Sequence, residues 1–300
     1  MESVLAPFLE AAVRTATPLA FAALGELLAE RSGVINLGLE GTIIAGCLGA
    51  AVAASSGGVA LGFVGAAAAG LAMALLFALF VVHWRTDQII TGTAFTLLGL
   101  GVTGTVHRMW PSIAGEGLSL PTLAPQPLGP LAQLPLVGPA LFRQPLPTYA
   151  LYLLIPTIAF WMARSHAGLA LRAVGEAPEA ARSAGVSVRK VRWAALAASG
   201  VLGGLCGATL VLAQVGAFTE GMSAGRGFIA IAIVVLGRWT VWGTAAAAAV
   251  FGAAFALQYL AQSLGLGLPY QIFLALPYVL TLVLLAAMRG RSRAPEHLAR

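Results

Sequence analysis

Nine long apolar stretches, separated by short polar ones, set the pattern of this chain. They lie near residues 7–28, 37–55, 59–82, 88–107, 148–163, 193–214, 226–241, 243–263 and 269–288. A helix needs about 20 residues to cross the hydrocarbon core of a bilayer, and two of the stretches, 148–163 and 226–241, are short for that. The pattern predicts an all-α fold: a polytopic membrane helix bundle of about eight to ten transmembrane helices with broken or re-entrant segments.

Composition supports a protein that lies in a lipid bilayer. Of the 300 residues, 59% are hydrophobic and 9% are charged, whereas soluble domains carry about 25% charged residues. The net charge is +6, but no basic patch interleaved with aromatic residues occurs and no nucleic-acid motif is present. We therefore predict no nucleic-acid partner and interpret the basic residues as determinants of orientation in the membrane.

The distribution of arginine and lysine predicts which loops face the cytoplasm. The loop 164–192 contains five arginines and one lysine, and the C-terminal tail MRGRSRAPEHLAR is also basic. Since basic loops stay on the cytoplasmic side, both are predicted inside, with four crossings between them. Counting backwards places 83–88 and 29–36 inside and the N-terminus outside. The stretch MESVLAPFLEAAVR lacks the basic region of a secretory signal peptide.

A proline-rich segment, 108–147, is predicted on the outer side. It holds nine of the sixteen prolines and little charge, which is typical of an ordered loop or short broken helices rather than a folded domain. The chain is therefore expected to form a single transmembrane domain, 1–300.

The groups that membrane enzymes need are not clustered in this sequence. Asp87 is its only aspartate, its four histidines are scattered, and HExxH does not occur. Lys190, the only lysine, does not belong to a phosphate-binding GxxxxGK[ST] loop. Cys47 and Cys206 fall in apolar stretches and are interpreted as packing residues. We predict no enzymatic activity, no cofactor and no metal, and expect that any ATP is hydrolysed by another chain.

Three glutamates are candidate ion-coupling groups. Glu26, Glu40 and Glu220 are expected near the ends of spans, and no charged residue is expected clearly in the middle of one. A secondary transporter usually carries such a residue at the midplane, so this class is disfavoured.

The stretch AERSGVINLGLEGTIIAG, residues 29–46, combines glycines and polar residues between two apolar spans. Gly33, Gly38 and Gly41 interrupt a regular helix, and non-helical backbone at membrane depth is tolerated only inside protein or beside a water-lined cavity. A second glycine-bounded segment, GRGFIAIAIVVLGRW at 225–239, lies in the other half. Paired interrupted segments indicate a transport pathway; the alternative is a pair of ordinary tight turns.

Polar and aromatic residues near these segments are candidates for lining such a pathway. For Asn36 and Glu40 the alternative is capping of the second span, and for the residues that begin the fourth span it is capping of that helix. The glutamines could instead bond a neighbouring helix, and the phenylalanines could simply pack. The candidates are Asn36, Glu40, Gln88, Thr93, Phe95, Gln214, Phe228 and Gln258.

The basic loop contains the signature of a short helix in VGEAPEAARSAGVSVRK. Pro178 suits a first helical turn, the neighbouring glutamates suit a helix N-terminus, and Gly185 suits its end. A helix of about two turns is marginal alone and makes sense docked on a partner; the alternative is a solvated loop. The candidate coupling residues are Glu176, Ala177, Pro178, Glu179, Ala180, Ala181 and Gly185.

Three motifs in order carry a family resemblance: ERSGVINLGLEG, then AVGEAPEAARSAGVSVRKVRWAALAASGVLGGLCGA, then GRGFIAIAIVVLGRW. Together they resemble the permease subunits of ABC importers, in the branched-chain amino acid, ribose and nucleoside permease family. The first motif is most similar to the nucleoside (purine and pyrimidine) branch. The similarity covers most of residues 20–285. Related sequences often have an asparagine shortly after a QIITG-like motif, where this chain has Phe95 and Thr96.

The resemblance implies an assembly in a bacterial inner membrane. Cargo would arrive on a solute-binding lipoprotein or periplasmic protein, and the pathway would form with a second permease subunit, usually a different chain. Two ATPase subunits would bind the helix between Glu176 and Val186 as a coupling helix. Nucleosides are the expected cargo; a simple sugar, a branched-chain amino acid, or an ion-coupled secondary transporter are the alternatives.

Overall fold

The computed structural model describes residues 2–109, 120–263, 275, 279, 283 and 294–298. Ten α-helices lie in this part of the chain, and the predicted all-α fold is confirmed. They are α1 (Glu2–Arg31), α2 (Leu39–Ala78), α3 (Gln88–Met109), α4 (Val137–Phe142), α5 (Leu146–Arg164), α6 (His166–Glu176), α7 (Pro178–Ser183), α8 (Val188–Leu210), α9 (Arg226–Leu236) and α10 (Val241–Ser263).

Shorter elements extend or connect these helices. Five-residue π-helices continue α2 through Leu79–His83 and α8 through Val211–Val215. Within the predicted outer loop, a 3-10 helix covers Gly129–Gln133, and two short antiparallel strands, β1 (Gln126–Pro127) and β2 (Arg143–Gln144), pair with each other.

Six helical segments of the described residues are long and apolar enough to cross a membrane. They are Leu5–Arg31, Leu39–His83, Gln88–Met109, Leu146–Arg164, Val188–Val215 and Val241–Gln262. The predicted ninth stretch, 269–288, lies outside the described residues apart from three single positions.

The 45-residue segment Leu39–His83 is a helical hairpin. Gly57 (φ −142°) and Gly58 (φ +76°) break the helix, and the chain then returns along itself, so that Gly65 packs against Gly49 and Ala53. The segment therefore supplies two antiparallel limbs, as the separate stretches 37–55 and 59–82 predicted.

Helix α8 runs through the centre of the bundle between α1 and both limbs of α2. Its glycines make this possible: Gly200 and Gly204 lie against the backbone of the second limb, and Gly207 lies against the first. Without Cβ atoms the backbones approach closely, which supplies the packing that holds membrane helices together.

Gly204→Ala tests this contact. An added Cβ would overlap the Ala66 carbonyl oxygen, and a helix backbone cannot move aside cheaply. We expect the variant to be destabilised by about 1–3 kcal/mol, measured as a lower unfolding temperature in detergent. Gly101→Ala is the matched control, because its Cβ would meet nothing within 4 Å. Equal unfolding temperatures for the two variants would contradict the close α2–α8 contact.

Candidate functional site

The depth of other residues in the bundle is measured by their position along helix α8. The end of the bundle formed by residues 83–88 and 164–192 is called the basic end. Ser32 lies at this end, since its carbonyl accepts a hydrogen bond from Arg192 Nε at 3.3 Å. Leu39, in contrast, packs on Gly203, which is about 22 Å along α8 from Val188 and about 18 Å from Val215.

Residues 32–38 therefore rise from the basic end to the middle of the bundle without forming a helix, and α2 begins only there. Gly33, with φ +85°, turns the chain out of α1. The prediction of a broken segment in 29–46 is confirmed for residues 32–38, whereas Gly41 lies inside α2 and does not interrupt it.

A second broken segment comes down from the opposite end. After α8 and its π-helical extension, residues 216–225 form turns without a helix, and α9 then covers eleven residues, Arg226–Leu236. Such a helix is about 16 Å long, roughly half the hydrocarbon thickness. Trp239, just beyond α9, lies at the basic end, because its carbonyl accepts a hydrogen bond from Arg31 Nε at 2.8 Å. Residues 216–239 thus complete one passage through the bundle, half of it non-helical.

The two half-helices meet at Glu40, in the first turn of α2. Its carboxylate accepts hydrogen bonds from the backbone N–H of Gly225 at 2.8 Å and of Gly227 at 2.6 Å. Glu40 therefore caps the N-terminus of α9, across the bundle, and its negative charge lies where the α9 dipole is positive. The side chain is buried, at 5% exposure. We call this contact the midplane junction.

The other end of α9 is held by α1. Glu30, which is buried, accepts a hydrogen bond from the Trp239 indole. Three residues at the two ends of α9 have positive φ without being glycine: Ala224 (48°), Arg238 (53°) and Trp239 (53°). Such backbone costs of order 1–3 kcal/mol per residue and often marks switch regions. Both ends of α9 are thus fixed by acidic side chains and strained.

Buried polar groups extend from the junction towards α1. Glu26 Oε1 accepts a hydrogen bond from Asn36 N–H at 2.9 Å, and Asn36 Nδ2 donates to Ser199 Oγ at 3.4 Å. All three side chains are fully buried. Asn36 Oδ1 and Ser223 Oγ have no hydrogen-bond partner among the described residues.

Two expectations about these residues need correction. Glu26 lies near the end of α1 as expected, level with Ser199, about 17 Å along α8 from Val188. Glu40, at the start of α2, lies at the middle of the bundle, so an acidic residue does occur at that depth. Asn36 does not cap α2 with its side chain, because Gly38 occupies the N-cap of this helix and no side-chain hydrogen bond is made there. The side-chain amide of Asn36 donates to Ser199 instead.

The remaining pathway candidates are spread over the bundle. Gln88 Oε1 accepts from the Ile35 N–H at 2.8 Å and so supports the broken segment, whereas Gln214 donates to the Arg14 carbonyl at 2.7 Å, away from the junction. Phe95 is buried against Phe77 and Phe80. Thr93 is exposed and bonds its own helix, Phe228 is 45% exposed in the first turn of α9, and Gln258 is buried in α10.

The loop 164–192 contains two helices, α6 and α7, where one of about two turns was predicted. Helix α7 has six residues and ends in a Schellman motif, in which the N–H of Gly185 bonds the Arg182 carbonyl and the N–H of Val186 bonds the Ala181 carbonyl. Gly185 has φ +82°, as its predicted place at the helix end requires.

The predicted coupling residues divide into two faces. Pro178 and Ala181 are buried against the bundle, and the others face outward: Glu176, Ala177, Glu179, Ala180 and Gly185. Glu179 and Arg182 form an exposed ion pair at 2.9 Å.

This loop is in direct contact with the end of α1. Gly175 lies against the Arg31 carbonyl, Arg31 pairs with Glu176 at 3.7 Å, and the His297 N–H bonds the Gly175 carbonyl at 3.1 Å. Since Arg31 also bonds the Trp239 carbonyl, contacts run without interruption from the loop to the end of α9.

Glu30, Trp239 and Ser199 were missed as site residues. The signal that could have indicated Glu30 is the spacing in GELLAE, which places Glu26 and Glu30 on one face of an apolar helix. Nothing in the sequence near Trp239 or Ser199 indicates their partners.

Half-helices that start inside an apolar bundle, with irregular backbone beside them, define a multi-pass membrane transport protein. The chain belongs to the family described as "Branched-chain amino acid transport system / permease component", which matches residues 8–288. The predicted membership of this permease family is confirmed.

Curated relatives agree with this assignment. The chain is 41% identical over 270 residues (89% of this chain, 81% of the relative) to the "Putative glucose ABC transporter permease protein TsgC13" of Haloferax volcanii. It is 32% identical (98% and 95%) to the guanosine ABC transporter permease protein NupQ of Bacillus subtilis. It is 30% identical (93% and 91%) to the nucleoside ABC transporter permease protein NupC of Lactococcus lactis. No solved structure matches.

Proposed function

We propose that this chain is a pathway-forming permease subunit of an ATP-driven ABC importer, and that nucleosides are its cargo. The observation that carries the proposal is the midplane junction, where Glu40 joins the start of α2 to the start of α9. A separate ATPase supplies the energy, a second permease chain completes the pathway, and a solute-binding protein delivers the cargo. The basic end then faces the cytoplasm of a bacterial cell, and 108–147 lies outside.

Coupling to the ATPase follows from the contacts of the basic loop. The outward face of α7, with Glu179 and Ala180, is the docking surface, while Pro178 and Ala181 keep the helix on the bundle. A movement of this loop is passed to Arg31 through Gly175 and Glu176. From there it reaches Trp239 and hence α9. These contacts form a continuous physical path, and the coupling free energy between α7 and α9 is the quantity to be measured.

The junction is suited to have two arrangements. The unpartnered oxygens of Asn36 and Ser223, which are close to it along the chain, each cost about 1–3 kcal/mol, and strained residues flank α9. A second arrangement that satisfies these groups, or relaxes that backbone, would recover this free energy. Differential contacts of this kind are what ATP binding must shift in a transporter.

Nucleoside cargo is supported by the motif ERSGVINLGLEG and by the guanosine and nucleoside permease relatives, which align over nearly the whole chain. Phe228, exposed in the first turn of α9, provides an aromatic face beside the junction on which a base could stack. Glucose is a second candidate, favoured by the higher identity of the Haloferax volcanii relative.

The solute-binding protein encoded with this chain tests the cargo. Titrated calorimetrically with guanosine, adenosine, glucose, ribose and leucine, it is expected to bind nucleosides at least about a hundredfold more tightly than the others, because a site built to bond the base leaves polar groups unpaired with a sugar alone. Tighter binding of glucose would transfer the proposal to sugar import, and leucine binding would reject both candidates.

A further inference from the structure

A polar cavity lies at the basic end, beside the coupling helix α7. Its volume is about 550 Å³, and it is bounded by the turn between α2 and α3, by α7 and by the first turns of α8. Residues Arg85, Arg182, Arg189 and Arg192 line it, together with Asp87 and Glu179.

The acidic side chains of the cavity are already engaged. Glu179 pairs with Arg182, and Asp87 Oδ1 accepts the N–H groups of Ile89 and Ile90, both at 2.9 Å, as the cap of α3. The lining thus carries four arginines against two carboxylates, a formal excess of two positive charges.

Three guanidinium groups consequently face the cavity without a carboxylate partner among the described residues. Arg189 bonds His83 Nδ1 at 2.5 Å, and Arg192 bonds only the carbonyl of Ser32. Arg85, which is exposed, makes no hydrogen bond or ion pair within the described part of the chain.

We propose that this cavity binds the phosphate headgroup of an anionic glycerophospholipid. Guanidinium groups bind phosphate oxygens in a bidentate manner, and basic pockets between membrane helices on the cytoplasmic side suit such headgroups.

Exposed apolar residues next in sequence to the lining favour a lipid over a free anion. Trp84, Ile89 and Ile90 are adjacent in sequence to the lining and are 56%, 56% and 70% exposed. A tryptophan with exposed isoleucines is typical of a helix end at the membrane interface. A phospholipid can place its headgroup among the arginines and its acyl chains along these exposed side chains, which inorganic phosphate cannot do. The bound lipid would fix α7 relative to the turn between α2 and α3.

Native mass spectrometry of the full chain, released from nanodiscs containing equal amounts of phosphatidylcholine and phosphatidylglycerol, tests the proposal. The chain is expected to retain one phosphatidylglycerol, and Arg85→Gln/Arg189→Gln is expected to lower this retention roughly tenfold or more. Arg164→Gln/Lys190→Gln removes the same charge from exposed positions outside the cavity and is expected to retain the lipid. Arg85→Lys/Arg189→Lys, which keeps the charge, is expected to restore much of the retention.

Equal retention of phosphatidylglycerol by Arg85→Gln/Arg189→Gln and by Arg164→Gln/Lys190→Gln would overturn the proposed site. Displacement of the lipid by millimolar inorganic phosphate would assign the cavity to a free anion. Displacement by the assembled ATPase would assign it to the ATPase interface. Either result would overturn the proposal of a lipid site. The measurement uses neither cargo nor ATP, so its failure would leave the proposed import function standing.

Discussion

Glu40→Ala is expected to abolish ATP-driven cargo uptake, with a loss of at least about a hundredfold, because it removes the acceptor that holds the start of α9. The N–H groups of Gly225 and Gly227 would be left unpaired in a buried site, at a cost of about 1–3 kcal/mol each and more where the lost partner is charged. The measurement is initial uptake in proteoliposomes containing the assembled transporter, corrected for the amount of folded protein.

Two further variants separate the junction from a general defect. Glu40→Gln retains an acceptor for one of the two N–H groups and should keep an intermediate rate. Gly227→Ala should reproduce the defect without touching the carboxylate, since its Cβ would overlap the backbone of Glu40. Glu10→Ala removes a carboxylate from a half-buried position near the start of α1 and should change little. Normal uptake by Glu40→Ala would contradict a structural role of the junction.

Glu179→Arg is expected to reduce uptake by at least about tenfold while the variant still folds. The side chain is 78% exposed, and its ion pair with Arg182 is worth at most about 1 kcal/mol, so the bundle does not depend on it. The outward face of α7, in contrast, would present a positive charge to the ATPase in place of a negative one. Transport and ATP hydrolysis should be measured together, because uncoupling is recognised by hydrolysis that cargo delivery no longer stimulates.

The double exchange Glu179→Arg/Arg182→Glu identifies which contact matters. It restores an ion pair within α7 but leaves the outward charge pattern reversed. Recovery of coupled uptake would mean that the internal pair alone was needed and would count against docking through this face. Gly185→Ala should also uncouple, since φ +82° costs an L-residue roughly 1–2 kcal/mol and loosens the end of α7.

Most of the helical framework could be predicted because local signals determine it. Paired glycines after two serines ended one apolar stretch and began the next, and the structure places the hairpin turn at Gly57 and Gly58. Pro178 and Gly185 bound α7 as their backbone preferences require. Gly33 and Gly38 marked the first broken segment, and Gly225 marked the end of the second, whereas Gly41 lies inside α2.

The partners of the buried acids could not be predicted, because long-range packing determines them. Glu40 bonds a residue 187 positions away, and Glu30 bonds one 209 positions away. The sequence indicates that a carboxylate near a span must be satisfied, but not by which helix end. For the same reason Gln214, which resembles a pathway residue in the sequence, bonds a carbonyl of α1 instead.

Uptake by the reconstituted transporter tests the central claim most directly. Proteoliposomes containing this chain, its permease partner and the ATPase, supplied with the loaded binding protein, should accumulate radiolabelled guanosine only when ATP is hydrolysed, and an inactive ATPase should reduce uptake to background. Uptake that persists unchanged with the inactive ATPase, or that an ion gradient drives through this chain alone, would contradict the account and would make the buried pair Glu26 and Glu30 the first groups to examine.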